Sequence, residues 1–368
     1  MASDPADLAR IRLEVGTALA RFLAGQRAAL AAVGPDLLPW IDSVTGLLAG
    51  GKRLRPAFCY WGWRAAGGDD RAEIYAAAAA LELLHASALV HDDVMDASDT
   101  RRGQPALHRQ FAVRPEAGAD TVTAAAFGAG AAILIGDALL AWTDEMFHHS
   151  GLPAALLRRG QPVLDAMRTE VAAGQYLDLV NQATGNNSVQ SAMRVVIYKT
   201  AKYTIERPLH LGAAMAGAPP AGLPGTPARR RDSAVARVCT EYGLPLGTAY
   251  QLRDDILGVF GDPARTGKPV TGDISEGKRT VLVALAMERA SAAQLRVLER
   301  HLGDRQLTEA AAAEVRGVIA ATGALAECET LISANVKEAT SALDGAPIPT
   351  EARAALTELA VLATARTE

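Results

Sequence analysis

The chain has 368 residues, 49% hydrophobic and 21% charged, with a formal net charge of −4. This is enough for a large core, and we expect a single domain over residues 1–368. The small negative charge argues against nucleic acid as a partner. The three cysteines, odd in number and in apolar sequence, are typical of reduced thiols, which predicts a cytoplasmic protein.

Nothing in the sequence reads as a membrane anchor. The N-terminal residues lack the apolar core of a signal peptide. The most apolar stretch, 124–142, is rich in Ala and is interrupted by Gly and by Asp137. We therefore expect a buried helix there and no stable membrane insertion.

The first predicted helices, over 6–33 and 35–48, lead to the turn Gly-Gly-Lys-Arg-Leu-Arg-Pro at 50–56. A further helix is expected from Pro56, since proline is tolerated in a first helical turn. Lys52 and Arg55 could converge on an anion at this helix start. Alone this motif is weak, because a basic turn is usually a solvated loop.

A long helix predicted over 72–97 carries an acidic cluster. Asp92 and Asp96 are four residues apart and share a helix face, with Asp93 beside them. Such like charges destabilise a helix unless something neutralises them. A solvated acidic helix end is the plainer interpretation, but the apolar sequence before Asp92 favours a buried position. Oxygen ligands without a nearby cysteine favour magnesium over zinc.

The twin arginines Arg101 and Arg102 follow this cluster directly, and guanidinium groups suit phosphate oxygens. Carboxylates, magnesium and arginines together indicate a diphosphate substrate. The polar segment 97–119, with its glycines and prolines, has a length that suits an active-site cover.

Further helices are predicted to about residue 149, over 152–182 and over 188–215. Gln175 and Asp178 share a helix face, which by default indicates a surface polar pair. Lys199 and Thr200 lie in the middle of a helix among apolar residues and therefore need partners.

The segment 217–232 is rich in Gly, Pro and Arg and predicts a mobile surface loop. The helix expected over 233–260 carries a second acidic cluster from Gln251 to Gly258, and the loop over 261–280 contains Lys268 and Lys278. Amphipathic helices fill the remainder, and the sequence suggests neither an internal repeat nor a strand.

Eight motifs in this order resemble the trans-isoprenyl diphosphate synthases, the polyprenyl synthetase family, and among them bacterial geranylgeranyl diphosphate synthases. The resemblance spans roughly residues 45–285, and its motifs are GGKRLRP, LLHASALVHDDVMD, RRG, GQYLDL, KT, QLRDDILG, TGKP and GKRT. It implies the all-α isoprenoid synthase fold, with ten or more helices around a central apolar cavity, usually as a homodimer. It also implies head-to-tail prenyl transfer from an allylic diphosphate to isopentenyl diphosphate.

The resemblance also implies site roles, motif by motif. Asp92, Asp96 and Asp254 would bind magnesium, three ions per active site, with Asp93 in support. The allylic diphosphate would be held by Arg101, Lys199, Thr200, Gln251, Lys268 and Lys278. Isopentenyl diphosphate would be held by Lys52, Arg55, His85 and Arg102. The Lys199 backbone carbonyl and the Gln251 side chain would stabilise the allylic cation.

Two positions bear on details of this activity. Gly258 stands where the family pattern has aspartate, so one carboxylate of the second cluster is missing, and we expect weaker metal binding at most. The growing tail should run along the helix before Asp92, where Ser87 and Ala88 replace the aromatic rings that close the pocket early in the family. With Leu84 deeper as part of a floor, these small residues predict a twenty-carbon product or somewhat longer.

Two alternatives stay open at this stage. A terpene cyclase of related fold would need an Asn, Ser, Glu metal triad, but Val195 stands where the Glu should follow Asn187 and Ser191. A regulatory subunit of a heteromeric prenyl synthase would typically lose an aspartate motif, and Gly258 is a small step in that direction, although the first cluster is intact.

Overall fold

The structure is a computed structural model that describes residues 6–118, 120–220, 223, 233–261 and 272–364. These residues form the all-α fold that the sequence predicts, with more than ten helices. The first half contains α1 (Ala6–Val33), α2 (Leu38–Ala49), α3 (Leu54–Ala65), α4 (Ala72–Met95), α5 (Leu107–Ala112), α6 (Thr121–His148) and α7 (Ala154–Thr184). The second half contains α8 (Val189–Val195), α9 (Arg207–Met215), α10 (Ala234–Phe260), α11 (Gly272–Ser275), α12 (Val281–Arg289), α13 (Ala292–His301), α14 (Glu309–Ala321), α15 (Ala324–Ser341) and α16 (Thr350–Thr364).

The helix α4 is the centre of the molecule. Its run of alanines over 76–80 and the leucines that follow are almost wholly buried, and α1, α3 and α6 pack around it. Short side chains let neighbouring helix axes approach closely, so a helix of this composition is apolar all round and belongs inside a bundle. This position brings the acidic end of α4 to the mouth of the bundle.

The segment between α8 and α9, Val196–Glu206, is π-helical rather than α-helical as the sequence predicts. Glycines of α7 and α10 pack closely against the backbone of this segment. A Cβ on Gly174 of α7 would lie 2.4 Å from the Lys199 backbone nitrogen, and one on Gly247 of α10 would lie 2.4 Å from Ala201 Cα. These close contacts fix the segment that carries Lys199, and such π-helical insertions are frequent at functional sites.

Two hydrophobic cores share α10. Its first half, with Tyr242 and Leu246, packs into the large core around α3, α4 and α9, whereas Leu252, Ile256 and Val259 pack against α12, α14 and α15. The second half of α10 therefore faces the site from the side opposite α4.

A short hairpin, β1 (Thr100–Arg101) and β2 (Gln104–Pro105), lies within the segment expected to be only a loop. Arg102 at its turn has φ 54°, and Gly103 has φ 73°. Each strand has only two residues, which is too short for alternating hydrophobic and polar residues to predict it from the sequence. Most of the predicted mobile segment 217–232 lies outside the described residues.

By length and composition, α4 and α6 could each cross a membrane, and the bent pair α14 and α15 could do so as one span. In this fold 72% of the most apolar window of α4 is buried, but only 28% of that of α6. The helix α4 is therefore accounted for by the core, whereas α6 leaves a long apolar face uncovered.

Candidate active site

The first acidic cluster lies at the C-terminal end of α4, where Asp92 faces a lysine of the π-helical segment. Lys199 Nζ lies 2.7 Å from Asp178 Oδ2 of α7 and 3.3 Å from Asp92 Oδ1. Burial raises the pKa of Asp92, but Lys199, Lys278 and Arg101 outweigh it, so the pKa is lowered. One ammonium group thus bridges carboxylates from two helices and keeps Asp92 ionised.

Asp96, one turn further on, faces Lys278. Lys278 Nζ lies 2.6 Å from Glu276 Oε2, 3.4 Å from Asp273 Oδ1 and 3.5 Å from Asp96 Oδ2. Burial and then the charge of Asp92 raise the pKa of Asp96 to about 6. Lys278 therefore links the acidic end of α4 to the short helix α11 and the turn that follows it.

Asp93, next to Asp92 in the sequence, is only 2% exposed. Arg101 Nε donates to Asp93 Oδ1 at 2.8 Å, and a second guanidinium nitrogen donates to the same oxygen. The same guanidinium lies 3.9 Å from Asp92 Oδ2. Asp93 thus anchors the arginine that borders the cluster.

The second acidic cluster is organised around Gln251 of α10. Thr200 Oγ1 donates to Gln251 Oε1 at 2.6 Å, and Gln251 Nε2 donates to Asp255 Oδ1 at 2.6 Å. Burial raises the pKa of Asp255 to about 8, with repulsion from Asp273 and Asp254 adding to it and the Gln251 bond opposing it. Asp254 is exposed, so the two adjacent carboxylates face different surroundings.

Arg102 brings the hairpin against the basic turn before α3. Its NH1 donates to the carbonyls of Leu47 at 2.7 Å and Gly50 at 3.1 Å. Gly51, at φ +116°, lies beneath the guanidinium, and a Cβ there would be 3.2 Å from NH2. The basic turn at 50–56 and the arginines Arg101 and Arg102 are at least 45 residues apart in the sequence, and the fold brings them together.

The basic turn divides its cations between two tasks. Arg53 is buried, pairs with Glu82 and also bonds the Leu48 carbonyl, so it is part of the scaffold. Arg55 instead donates to Thr204 Oγ1 at 2.8 Å and lies 4.4 Å above the Tyr203 ring. Lys52 is exposed beside it.

His85 of α4 completes this basic side. Burial, then the charges of Arg55 and Arg102, lower its pKa well below the ordinary value. Its Nδ1 is buried and has no hydrogen-bond partner within the described residues. A neutral imidazole of this kind can bond an anion without adding repulsion to the arginines around it.

A cavity of about 480 Å³ opens below Asp92 and Lys199, within the range usual for small-molecule sites. Leu84, Ser87 and Ala88 line it, as the sequence predicts for the tail pocket. The opposite wall comes from α7 and one side from α6. The site therefore joins a charged mouth to a largely apolar interior.

Some residues of the site are not those the sequence predicts. Asp178 is 9% exposed and ion-paired, so interpreting it as half of a surface pair was wrong. The signal was available, because a lysine in the middle of an apolar helix, as Lys199 is in the sequence, requires a carboxylate partner. Asp273 and Glu276, which contact Lys278, gave no comparable signal. Lys268 and the motif around it lie outside the described residues.

The donor set fits magnesium that is shared with a substrate. No three Asp, Glu, His or Cys side chains among the described residues are close enough together to hold an ion by themselves. Magnesium is usually held by one or two carboxylates together with substrate phosphates. Lys199 places a positive charge between Asp92 and Asp178, so the mouth of the cavity already holds one cation between carboxylates of two helices.

An all-α bundle with an apolar cavity, two acidic clusters and a rim of Lys and Arg has the features of an enzyme that uses metal ions to bind diphosphate esters of hydrocarbons. The polyprenyl synthetase family model matches residues 39–319. The chain belongs to the polyprenyl synthetase family.

Relatives of known activity support this assignment. The geranylfarnesyl diphosphate synthase of Aeropyrum pernix is 35% identical over 246 residues, 66% of this chain and 68% of the relative. The geranylgeranyl diphosphate synthase of Mycobacterium tuberculosis is 32% identical over 301 residues, 80% of this chain and 77% of the relative. The crystal structure of geranylgeranyl pyrophosphate synthase from Corynebacterium glutamicum, complexed with isoprenyl diphosphate and magnesium, is 39% identical, with a TM-score of 0.89 over 97% of this chain and 99% of that one.

The protein is therefore a polyprenyl diphosphate synthase, a prenyltransferase that joins prenyl diphosphates head to tail. The family match favours this synthase over the cyclase alternative, and Val195 lacks the carboxylate that the cyclase triad needs. The relatives make products of different length, so their names do not fix the product of this chain.

Proposed function

We propose that the protein condenses allylic diphosphates with isopentenyl diphosphate to give geranylgeranyl diphosphate. The observation that carries this proposal is the cavity below Asp92, where Ser87 and Ala88 leave the upper wall open. Small side chains at this depth let a growing prenyl tail pass instead of stopping it after fifteen carbons.

The length of the cavity supports a twenty-carbon product. The lining on α4 includes Met95 beside the mouth, and from Asp92 down to Leu84 it spans eight residues or about 12 Å. On α7, the run from Asp178 at the mouth to the deepest lining residue, Arg168, is ten residues or about 15 Å. At about 5 Å per isoprene unit, equal to one helical turn, this holds a farnesyl tail, whose extension gives twenty carbons.

The allylic diphosphate would lie between the two acidic clusters. Magnesium, three ions in our proposal, would bind Asp92, Asp96 and Asp254, with Asp93 in support, and would stabilise charge on the departing diphosphate. Arg101, Lys199 and Lys278 border the same space as permanent positive charges, and Lys268 would join them. Because these cations are fixed before the allylic carbon–oxygen bond breaks, they favour the charge that develops in the transition state.

The allylic cation left by that bond cleavage would be stabilised by oxygen dipoles at the top of the cavity. Gln251 is held at both ends, by Thr200 and by Asp255, so its amide cannot turn away. The Lys199 backbone carbonyl belongs to the π-helical segment, whose position is set by Gly174 and Gly247. A preorganised dipole of this kind costs no reorganisation during the reaction.

Isopentenyl diphosphate would bind on the other side, where Lys52, Arg55, His85 and Arg102 converge. Its double bond attacks the allylic carbon and forms the new carbon–carbon bond, and a proton then leaves to the departing diphosphate. The buried Nδ1 of His85, which has no hydrogen-bond partner among the described residues, supports an anion in this place.

We further propose a homodimer formed through α6. Four of its large apolar residues that do not line the cavity are at least 40% exposed, namely Val122, Phe127, Ile133 and Leu134. Exposed apolar residues along one helix are typical of an interface. We propose that a second copy of α6 covers this face in the cytoplasm, which would also account for a helix of membrane-spanning length and composition that the described fold leaves largely uncovered.

The direct test supplies the purified protein with isopentenyl diphosphate, magnesium and dimethylallyl, geranyl or farnesyl diphosphate in turn, with products identified by mass. We expect a linear geranylgeranyl product. A fifteen-carbon stop would retain the chemistry and refute the account of Ser87 and Ala88. No elongation from any starter would refute the proposed function itself.

A further inference from the structure

The deep end of the cavity is lined by a charged side chain, Arg168 of α7, among apolar neighbours that include Leu84 and Leu140. Its NH1 lies 2.5 Å from Asp144 Oδ2 of α6, and its NH2 lies 2.5 Å from Asp165 Oδ1 on its own helix. The guanidinium thus spans from α7 to α6 across the space between the two helices. The catalytic chemistry described above gives this ion pair no role.

Positions along α4, α6 and α7 show that the Arg168–Asp144 ion pair lies at the same depth below the mouth as Leu84. Gly136 of α6 lies beside His91, next to Asp92, because a Cβ on Gly136 would be 2.2 Å from the His91 ring. Leu140, one turn further along α6, lines the cavity, and Asp144 follows after one more turn. Asp144 therefore lies about 12 Å along α6 from Gly136. Leu84 lies about the same distance along α4 from Asp92.

The ion pair lies where the cavity would reach the surface. The side chain of Arg168 is 22% exposed, and those of Asp144 and Asp165 are 41% and 54% exposed. One turn deeper, Leu164 and Phe147 are fully buried and leave no room for a tail. A chain growing beyond Leu84 would have to pass between α6 and α7 at the position of Arg168.

The two parts of the arginine side chain act differently on a hydrocarbon. Its aliphatic stem is apolar and can contact the end of a farnesyl tail. Asp144 Oδ1 is buried without a partner in the described residues, but the Asp144 side chain as a whole is still 41% exposed and that of Arg168 is 22% exposed. Covering the exposed part of the ion pair with a hydrocarbon carries a desolvation cost. The pair therefore opposes a longer tail both by filling space and by resisting dehydration.

We propose that the Arg168–Asp144 ion pair is the floor of the tail cavity and sets the maximum product length. This inference rests on the proposed function and adds a determinant of product length that lies on α7 and α6 rather than on the helix of the first aspartate cluster.

The test compares the full-length wild type with Arg168→Ala, using farnesyl diphosphate, isopentenyl diphosphate and magnesium, with product lengths read by mass. We expect the main product of Arg168→Ala to gain at least one five-carbon unit. Arg158→Ala, on an exposed face of the same helix, is the matched control and should keep the wild-type product.

A second variant guards against a folding defect. Asp144→Ala leaves Arg168 its partner Asp165 on α7 but removes the anchor on α6, so the guanidinium is free to leave the cavity, and a longer product is again expected. Folding of each variant is checked by thermal unfolding. If both variants make products of wild-type length, the ion pair does not set the maximum product length. If the wild type does not elongate farnesyl diphosphate, the proposed function itself is refuted.

Discussion

Asp273 of α11 fills the space where a side chain at position 258 of α10 would begin. A Cβ on Gly258 would lie 1.9 Å from Asp273 Oδ2. The other oxygen of that carboxylate lies 3.4 Å from Lys278 Nζ. Where the family pattern has an aspartate on α10, this chain thus has a carboxylate that arrives from the neighbouring helix.

Gly258→Ala should therefore displace Asp273. We expect it to be less stable than Gly317→Ala by about 1–3 kcal/mol, the usual cost of overpacking, in urea unfolding. Gly317 is the matched control because it is also helical but has no atom within 4 Å of a Cβ, so both variants gain the same helix propensity. We also expect Gly258→Ala to need more magnesium for half-maximal activity, and equal behaviour of the two variants would contradict the contact.

Asp92 and Asp93 are adjacent but should fail in different ways. Asp92→Asn removes a carboxylate from the mouth of the cavity, and we expect activity to fall by about 10²–10³-fold with little change in unfolding. Asp93→Asn removes the carboxylate that is hydrogen-bonded to the largely buried Arg101 guanidinium and leaves only the more distant Asp92 charge, and breaking a buried pair of this kind costs about 3–5 kcal/mol. Activity assays and urea unfolding of both variants test this difference. If both variants lost activity and stability to the same extent, assigning a catalytic role to Asp92 and a structural role to Asp93 would be wrong.

His210 should make stability depend on pH. Burial is the main cause that lowers its pKa to about 4, from an ordinary 6.5. Arg207 NH1 lies 3.1 Å from Nδ1, and Nε2 lies 3.1 Å from the Ala236 carbonyl, which suits a neutral ring. Because the unfolded chain takes up the proton first, the free energy of unfolding falls as the pH drops from about 6.5 towards 4.

The size of that fall is up to about 3 kcal/mol, and it should level off below the folded pKa. Urea unfolding at several pH values measures it. His210→Gln should lose this part of the pH dependence, whereas His148→Gln, at an exposed position, should keep it. A wild-type pH profile identical to that of His210→Gln would rule out the histidine as its source.

Ser87→Phe should shorten the product. Ser87 is 3% exposed and lines the cavity, so a ring there would block the tail about one turn below the mouth. We expect the main product to lose at least one five-carbon unit, measured by mass with geranyl diphosphate as starter. Ser87→Ala keeps the position small and should leave the product unchanged; an unaltered length in Ser87→Phe would refute the proposed path of the tail.

Leu134→Glu should weaken the proposed dimer. Leu134 is 64% exposed on the apolar face of α6, and a charge buried in an interface without a partner is strongly unfavourable. Sedimentation is expected to show a dimer for the wild type and a monomer for Leu134→Glu. Val113→Glu, 84% exposed and outside α6, should stay dimeric, and a monomeric wild type would refute the proposal.

Much of the fold follows from the chain itself. Helical periodicity and glycine or proline breaks predict nearly every helix, because a stripe of apolar residues at helical spacing has to be buried. The π-helical segment Val196–Glu206 was not predicted. Its backbone hydrogen-bond register depends on how closely Gly174 and Gly247 approach it, and these residues are distant in sequence.

The sequence by itself determined which residue types carry the chemistry: two acidic clusters at helical spacing, basic turns and small residues before Asp92. It could do so because charges in apolar surroundings require ligands or partners. Only the tertiary structure decided the partners themselves, namely Asp178 for Lys199, Asp273 beside Gly258 and Arg168 at the end of the cavity. Each of these contacts joins different helices, and the distance between two helices is set by the packing of the bundle, not by separation along the chain.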